Sequence, residues 1–387
     1  MTVPPIPADA IMPAESIDGP GVRLRQYRLD DVDDVQASCA DAVTQRFLPL
    51  MPDPYTLDDA RWWITTGAPA MFEAGGCAYA VADPATDRLV GAVGVTAQRQ
   101  GNGEIGYWVA PWARGVGLAT AATRALTDYA YSVGYARLEL RTEIENVASQ
   151  RVALAAGYTR EGVQRGGGAT RGGGRHDLVV WSRLPTDPPG PTRRVMPDLP
   201  GHDRGDPHLT DGVVRIQPTG PADAADMHAM RSLPEVYGSS VPPTAPDPEA
   251  TARSCAQAPA QWLAGTHARC TVRDAATGAF AGEIGLFHWN EQIGEAMTGY
   301  SMAPAWRGRG YATRAVRLLA RWAFDVGVSR VVAGVNPENI GSQRVLEKAG
   351  FTREGLLRGQ LPTPDGGRAD DLLYALLPGD EPRLSTP

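Results

Sequence analysis

Lysine is almost missing from this chain: of its 37 basic residues only Lys348 is a lysine, the rest being arginine. That skew points to a GC-rich coding sequence and not to a binding surface. Against those stand 44 acidic residues, giving a net charge of −7. A phosphate-neutralising surface is therefore not expected, which sets nucleic acid aside, whereas a cationic amine is a tolerated partner. Cysteine is scarce as well. Cys39, Cys77, Cys255 and Cys270 have no C-x-x-C spacing, so neither a disulfide framework nor a metal site is expected. No apolar run is long enough to span a bilayer, and the opening residues have neither a basic n-region nor an apolar core; the reading is a cytoplasmic protein with no membrane partner. No Gly-Lys-Ser/Thr occurs, which excludes a P-loop.

What is present is a doubled glycine turn. Gly106-Tyr-Trp-Val109-Ala-Pro-Trp-Ala-Arg114-Gly115-Val116-Gly117-Leu118-Ala119-Thr120 reads as a strand, a Pro-Trp break and a tight turn opening an alanine-rich helix. Gly299-Tyr-Ser-Met302-Ala-Pro-Ala-Trp-Arg307-Gly308-Arg309-Gly310-Tyr311-Ala312-Thr313 repeats it. Such a turn offers unobstructed backbone N–H groups and the positive end of a helix, a seat for phosphate or pyrophosphate. Arg114 and Arg307, Asn146 and Asn339, Gly157 and Gly350, Asp177 and Asp370 all stand 193 residues apart. Upstream, Asp83 and Gly91 match Asp274 and Gly282 at 191, so the second copy has a longer hairpin before its glycine turn. The period is far too long for a solenoid, and the chain reads as a duplicated domain.

Within the first copy the pattern predicts strands at 22–27, 78–82, 89–95, 104–109, 138–142 and 177–184, with helices from Asp30, through Trp62 and Trp63, at 120–132 and at 149–156. Strands first and alternation later suggest an α+β domain around a mixed, largely antiparallel sheet. The expected organisation is a disordered tail (1–20), a first domain (21–185), a Pro/Gly linker (186–209), a second domain (210–379) and a short tail (380–387).

Arg-x-x-Gly-x-Ala in both copies resembles the acyl-CoA pyrophosphate loop of the GNAT acetyltransferases. Asn146-Val-Ala-Ser149-Gln-Arg151 and Asn339-Ile-Gly-Ser342-Gln-Arg344 are similar to the second signature of the ribosomal-protein N-terminal acetyltransferase (RimJ/RimL-like) branch. The resemblance covers nearly the whole of both domains. It implies two tandem GNAT domains that use acetyl-CoA as cosubstrate and no metal. It implies transfer of the acetyl group to a primary amine, of a protein N-terminus or a small molecule, by direct attack in a ternary complex. The chain would be a monomer or homodimer. The cosubstrate would lie on Val109, Arg114, Gly115, Val116, Gly117, Leu118, Ala119, Thr120 and Asn146, and in the second copy on Met302, Arg307, Gly308, Arg309, Gly310, Tyr311, Ala312, Thr313 and Asn339. A backbone N–H of the first splayed strand would polarise the thioester carbonyl.

Acid–base work remains: a proton must leave the ammonium, and the departing thiolate must gain one. The resemblance makes Glu104 the candidate base and Ser149 the candidate acid. Their bland readings are a solvated strand carboxylate and a helix N-cap. Arg114 has one too, as a structural fork. In the second copy Ser342 is kept, but Met297 stands where Glu104 would be. Glu295 is the nearest substitute, with Glu283 and His288 further candidates. The glycine-rich Arg165-to-Arg175 stretch reads as a flexible hairpin or a lid. A degraded dinucleotide fingerprint fits poorly, because Pro111-Trp112-Ala113 lengthens the turn. The competing function is one catalytic domain beside a non-catalytic, acyl-CoA-binding or structural one, acting on an antibiotic or metabolite amine.

Overall fold

The computed structural model describes residues 14–238, 244–363 and 366–380. They fall into two compact units, one up to Arg193 and one from Arg194, and each carries its own eight-stranded sheet.

In the first unit the strands are β1 (Ser16–Gly19), β2 (Val22–Arg25), β3 (Cys77–Ala82), β4 (Leu89–Ala97), β5 (Asn102–Val109), β6 (Arg137–Glu143), β7 (Thr159–Ala169) and β8 (Arg175–Arg183). They lie in the order β1-β2-β3-β4-β5-β6-β8-β7. Every neighbour pair is antiparallel except β5 with β6, which is the mixed α+β sheet expected. The patterns explain the layers. All six residues of β3 are buried, marking it as a central strand covered on both faces. β6 alternates, burying Leu138, Leu140 and Thr142, as a half-exposed strand should. Helix Leu118–Ser132 buries Ala122, Leu126 and Ala130, four residues apart on one face.

The decisive feature is where the parallel ladder stops. β5 pairs with β6 only through Asn102, Gly103 and Glu104, opposite Arg137, Leu138 and Glu139. Beyond Glu104 the two strands part, and the sheet opens into a cleft. Gly103 permits the close approach at its root: a Cβ there would sit 2.6 Å from Val95 Cγ1 and 2.7 Å from the Tyr135 ring.

The second unit repeats the plan with β9 (Leu209–Thr210), β10 (Val214–Pro218), β11 (His267–Asp274), β12 (Phe280–Asn290), β13 (Glu295–Met302), β14 (Arg330–Val335), β15 (Thr352–Pro362) and β16 (Arg368–Leu376). Their order is β15-β16-β14-β13-β12-β11-β10-β9. β13 and β14 again pair over three residues, Glu295 to Met297 against Arg330 to Val332. The longer hairpin is real. Phe287 pairs with Met297, Asn290 pairs with Glu295, and the register shifts between them, with His288 left exposed at φ 51°.

Three stretches differ from expectation. Residues 16–19, read as disordered tail, form the edge strand β1; residues 1–13 and 381–387 lie outside the described residues. The stretch read as linker packs onto the second core: Met196 and Leu199 are fully buried there, and Trp262 Nε1 donates to Pro197 O at 2.9 Å. Two well-spaced apolar residues in a Pro-rich run carry too little periodicity to announce this. The glycine-rich stretch belongs to the β7–β8 hairpin, turning over residues 170–174.

Candidate functional site

Gly115 and Gly117 adopt left-handed φ of 83° and 86°, and a Cβ on either would meet nothing within 4 Å. The turn therefore faces open space. Gly117 is the N-cap of helix Leu118–Ser132 and no side chain caps it. The first amides of a helix have no partner within it, which leaves those of Leu118, Ala119 and Thr120 for an anion. Gly308 and Gly310 repeat this at 72° and 82°, again before open space, and Gly310 opens helix Tyr311–Asp325 with no side-chain cap. Val116 is exposed between its glycines. The Arg309 guanidinium lies over the Trp306 ring, 5.5 Å from its centroid. Tyr311 turns inward, its hydroxyl bonded to Asp274, so only its backbone faces the turn's side, with Ala312 and Thr313 following in the first helical turn.

The motif arginines brace these turns from behind. Arg114 Nε donates to Val109 O at 3.2 Å and Nη2 to Thr44 Oγ1 at 2.9 Å, and the guanidinium also bonds the Asp41 carboxylate. It is the structural fork, tying the end of β5 to helix Ala42–Phe47. Arg307 does the same with Met302 O at 3.1 Å and Glu235 O at 3.4 Å.

Inside the cleft, Tyr107 Oη lies 2.7 Å from Ser149 Oγ, and Tyr300 Oη lies 2.8 Å from Ser342 Oγ. Burial pushes the Tyr107 phenol well above its ordinary pKa and that of Tyr300 up to about 12, so both stay protonated donors at neutral pH. The two tyrosines were not singled out from sequence. The signal available was the Gly-Tyr pair that each copy repeats. Ser149 is not the helix cap. Asn146 is, its Oδ1 accepting from Ser149 N at 3.1 Å, and Asn339 caps the second helix through Ser342 N at 3.0 Å. Ser149→Ala should accordingly leave the melting temperature nearly unchanged. Asn146→Ala should cost about 0.5–2 kcal/mol. Thermal melts of the two variants side by side check this.

Glu104 sits where β5 and β6 separate. It accepts from Gln98 Nε2 at 3.0 Å and lies 3.5 Å from Arg141 Nη1. Its side chain is 32% exposed. Burial raises its pKa, Arg141 and Gln98 pull it down and Glu139 pushes it up; the net direction is upward. The carboxylate is thus a better proton acceptor than an ordinary surface glutamate. In the second unit Glu295 is held by Arg330 Nε at 2.8 Å, and Arg330 also bonds Glu354. It occupies the paired root of β13, not the opening. Glu283 is bound through two oxygens by Arg231, and His288 is stacked edge-on against Phe287.

Beside β5 in the first unit lies a cavity of about 410 Å³. Gly106, Tyr107 and Trp108 of β5 line it; Gly106 and Trp108 share the strand face of Glu104 by the two-residue period, and Glu104 stands just beyond the lining residues. Among the described residues no group of three or more His, Cys, Asp or Glu is arranged to hold a metal ion, and no helix is long and apolar enough to cross a membrane.

A family model described as an acetyltransferase (GNAT) domain matches residues 22–159 and again 214–352. The probable N-acetyltransferase YjcK of Bacillus subtilis (strain 168) is 42% identical over 87 residues, 22% of this chain and 48% of that protein. The putative ribosomal N-acetyltransferase YdaF of the same organism is 38% identical over 82 residues, 21% of this chain and 44% of that protein. The chain thus spans about half the length of the curated relatives it matches. Among solved structures, Mycobacterium smegmatis RimJ in complex with CoA-disulfide is 27% identical, covering 44% of this chain and 86% of that one at a TM-score of 0.40. Two matches to one domain model, one in each unit and together spanning more than half of the chain, establish that it belongs to the GNAT acetyltransferase family, as a tandem pair.

Proposed function

We propose that the first unit transfers an acetyl group from acetyl-CoA to a primary amine, and that the second binds the cosubstrate without turning it over. The observation that carries this is Glu104: a half-buried carboxylate of raised proton affinity, at the mouth of the splay, on the strand face that lines the cavity. The glycine turn fits a pyrophosphate, because a Cβ at Gly115 or Gly117 would occupy empty space that a ligand can fill. Bound there, acetyl-CoA supplies a thioester as electrophile.

The chain's own groups do the rest. Glu104 takes the proton that the ammonium must lose before its nitrogen attacks the carbonyl carbon. The C–N bond forms as C–S breaks; the nitrogen sheds its second proton, and the Tyr107–Ser149 hydroxyl pair relays a proton to the departing thiolate and is itself reprotonated, so that one proton in all leaves with Glu104. A CoA thiol, with a pKa near ~8.5, is a fair leaving group. Ser149→Ala should therefore lower kcat less than Glu104→Gln does, with acyl-CoA affinity nearly unchanged.

In the second unit Ser342 and Tyr300 are in place, but Met297 fills the position of Glu104 and Glu295 is engaged in an ion pair with Arg330. Glu295→Gln should leave turnover within about twofold of the parent. Thiol release measured over a panel of amines tests the reading as a whole. Loss of turnover in Glu295→Gln with none in Glu104→Gln would move catalysis to the second unit.

A further inference from the structure

The cavity beside β5 is built from aromatic and aliphatic side chains on a glycine floor. Gly94 and Gly106 face one another across β4 and β5 and both line it. A Cβ on Gly106 would meet nothing within 4 Å, so the floor is open because a side chain is missing there. One wall is Trp62 and Trp63, with Tyr27 set edge-on to Trp63 at 6.3 Å.

The local backbone exists to seat those two rings. Helix Leu57–Trp62 runs into a wide π-type turn, Trp63–Gly67, and on into Ala68–Glu73. The turn brings both indoles over Gly67, where a Cβ would lie 2.6 Å from Trp63 Cε3 and 3.0 Å from Trp62 Cζ3. Such turns inside helices recur at functional sites.

A second part of the wall, Leu48 and Leu50 to Pro52, is also held. Gln45 Nε2 donates to Cys39 O at 2.6 Å and to Pro52 O at 3.0 Å. Arg171, at the tip of the β7–β8 hairpin, donates to Met51 O at 2.9 Å and bonds the Gln45 side chain. The glycine-rich hairpin thus reaches the cavity wall and pins it.

Polar groups are few. Asp59 is the one carboxylate among the described residues that line it, and hydrogen bonds from Thr56 hold it below the usual carboxylate range. An extended peptide would find few partners for its backbone here, whereas a ring would find stacking faces and an ammonium would find π-faces and negative charge. The second unit is different at the matching place. Glu283, the counterpart of Ala92, is tied to Arg231 at 2.8 Å, and Arg269 bonds Ser254 close by.

We infer that the acceptor of the first unit is a primary amine on a bulky apolar, aromatic-sized body, which fills the Trp62–Trp63 cavity while its nitrogen points toward Glu104. This rests on the acetyl-transfer reading above. The volume suits it, since small-ligand sites commonly measure ~300–1,000 Å³.

The test uses the full chain, acetyl-CoA and three acceptors: 2-(naphthyl)ethylamine, ethylamine and an alanine-initiated peptide. The arylalkylamine should exceed ethylamine in kcat/KM by at least ~10²-fold, from burial of its ring, and should exceed the peptide. It should also bind the protein alone with one-to-one stoichiometry, read by calorimetry. Trp63→Ala should weaken that binding at least ~10-fold. Gly67→Ala, which removes no side chain and favours the helix, should shift both indoles and raise the arylalkylamine KM at least ~3-fold; it serves if Trp63→Ala fails to fold. Glu104→Gln should slow all acceptors together and leave their ratio unchanged. Equal kcat/KM for the two amines, a preference for the peptide, or no binding of the arylalkylamine would overturn the inference while leaving acetyl transfer standing. Absent turnover with every amine, beside binding that Trp63→Ala abolishes, would sink the transfer reading and keep the cavity assignment.

Discussion

Glu104→Gln should lower kcat by ~10²–10⁴, the range typical of losing a positioned general base, with the acyl-CoA dissociation constant nearly unchanged. The substitution keeps the size of the side chain and its reach to Gln98 and Arg141, so the loss reports proton transfer and not packing. The pH profile gives an independent check. The base works only when ionised, so kcat/KM should rise about tenfold per pH unit while Glu104 is protonated and level off above its pKa. Because burial raises that pKa, the acid limb should lie above the ordinary glutamate value of ~4.3. Arg141 opposes the rise, since its positive charge favours the carboxylate. Arg141→Ala should therefore move the limb to higher pH, and a limb that stayed in place or moved down would show that another group sets it. Undiminished turnover in Glu104→Gln would remove the base assignment outright.

Each chain should bind two acyl-CoA molecules, and Gly117→Val and Gly310→Val should each remove one, raising the dissociation constant of the affected copy more than ~10²-fold. Two effects combine. Both glycines hold φ above 80°, where an L-residue costs ~1–2 kcal/mol and a β-branched one is worse placed still. The new side chain would also project into the open space before the helix amides. Asparagine tolerates the left-handed region but still carries a Cβ, so Gly117→Asn separates obstruction from strain: if it folds normally and binds poorly, the space is the phosphate seat. Calorimetric titration of the parent and the two valine variants gives the count. A parent stoichiometry of one would show that one copy is vestigial, and whichever valine variant then had no effect would identify it.

Local pattern carried a good part of this protein. The repeat, the glycine turns, the β3–β4 hairpin and the helices that follow each turn are set by neighbours in sequence: φ preferences of Gly117 and Gly310, alternation along β6, the i, i+4 face of helix Leu118–Ser132. The Asn-x-x-Ser spacing likewise marks a helix start, although the spacing alone admits Ser149 as the cap, whereas in the fold Asn146 Oδ1 accepts from Ser149 N and caps the helix. What tertiary structure alone decided depends on residues far apart in the chain. Tyr107 meets Ser149 across 42 positions and Arg114 meets Asp41 across 73, and no local spacing encodes either contact. Glu104 differs from any strand glutamate only because β6 pairs with β5 for three residues and then leaves, which half-buries the carboxylate and sets Arg141 beside it. The cavity is the same kind of feature, since its floor, its tryptophan wall and the Arg171 pin come from three separate stretches that only packing brings together.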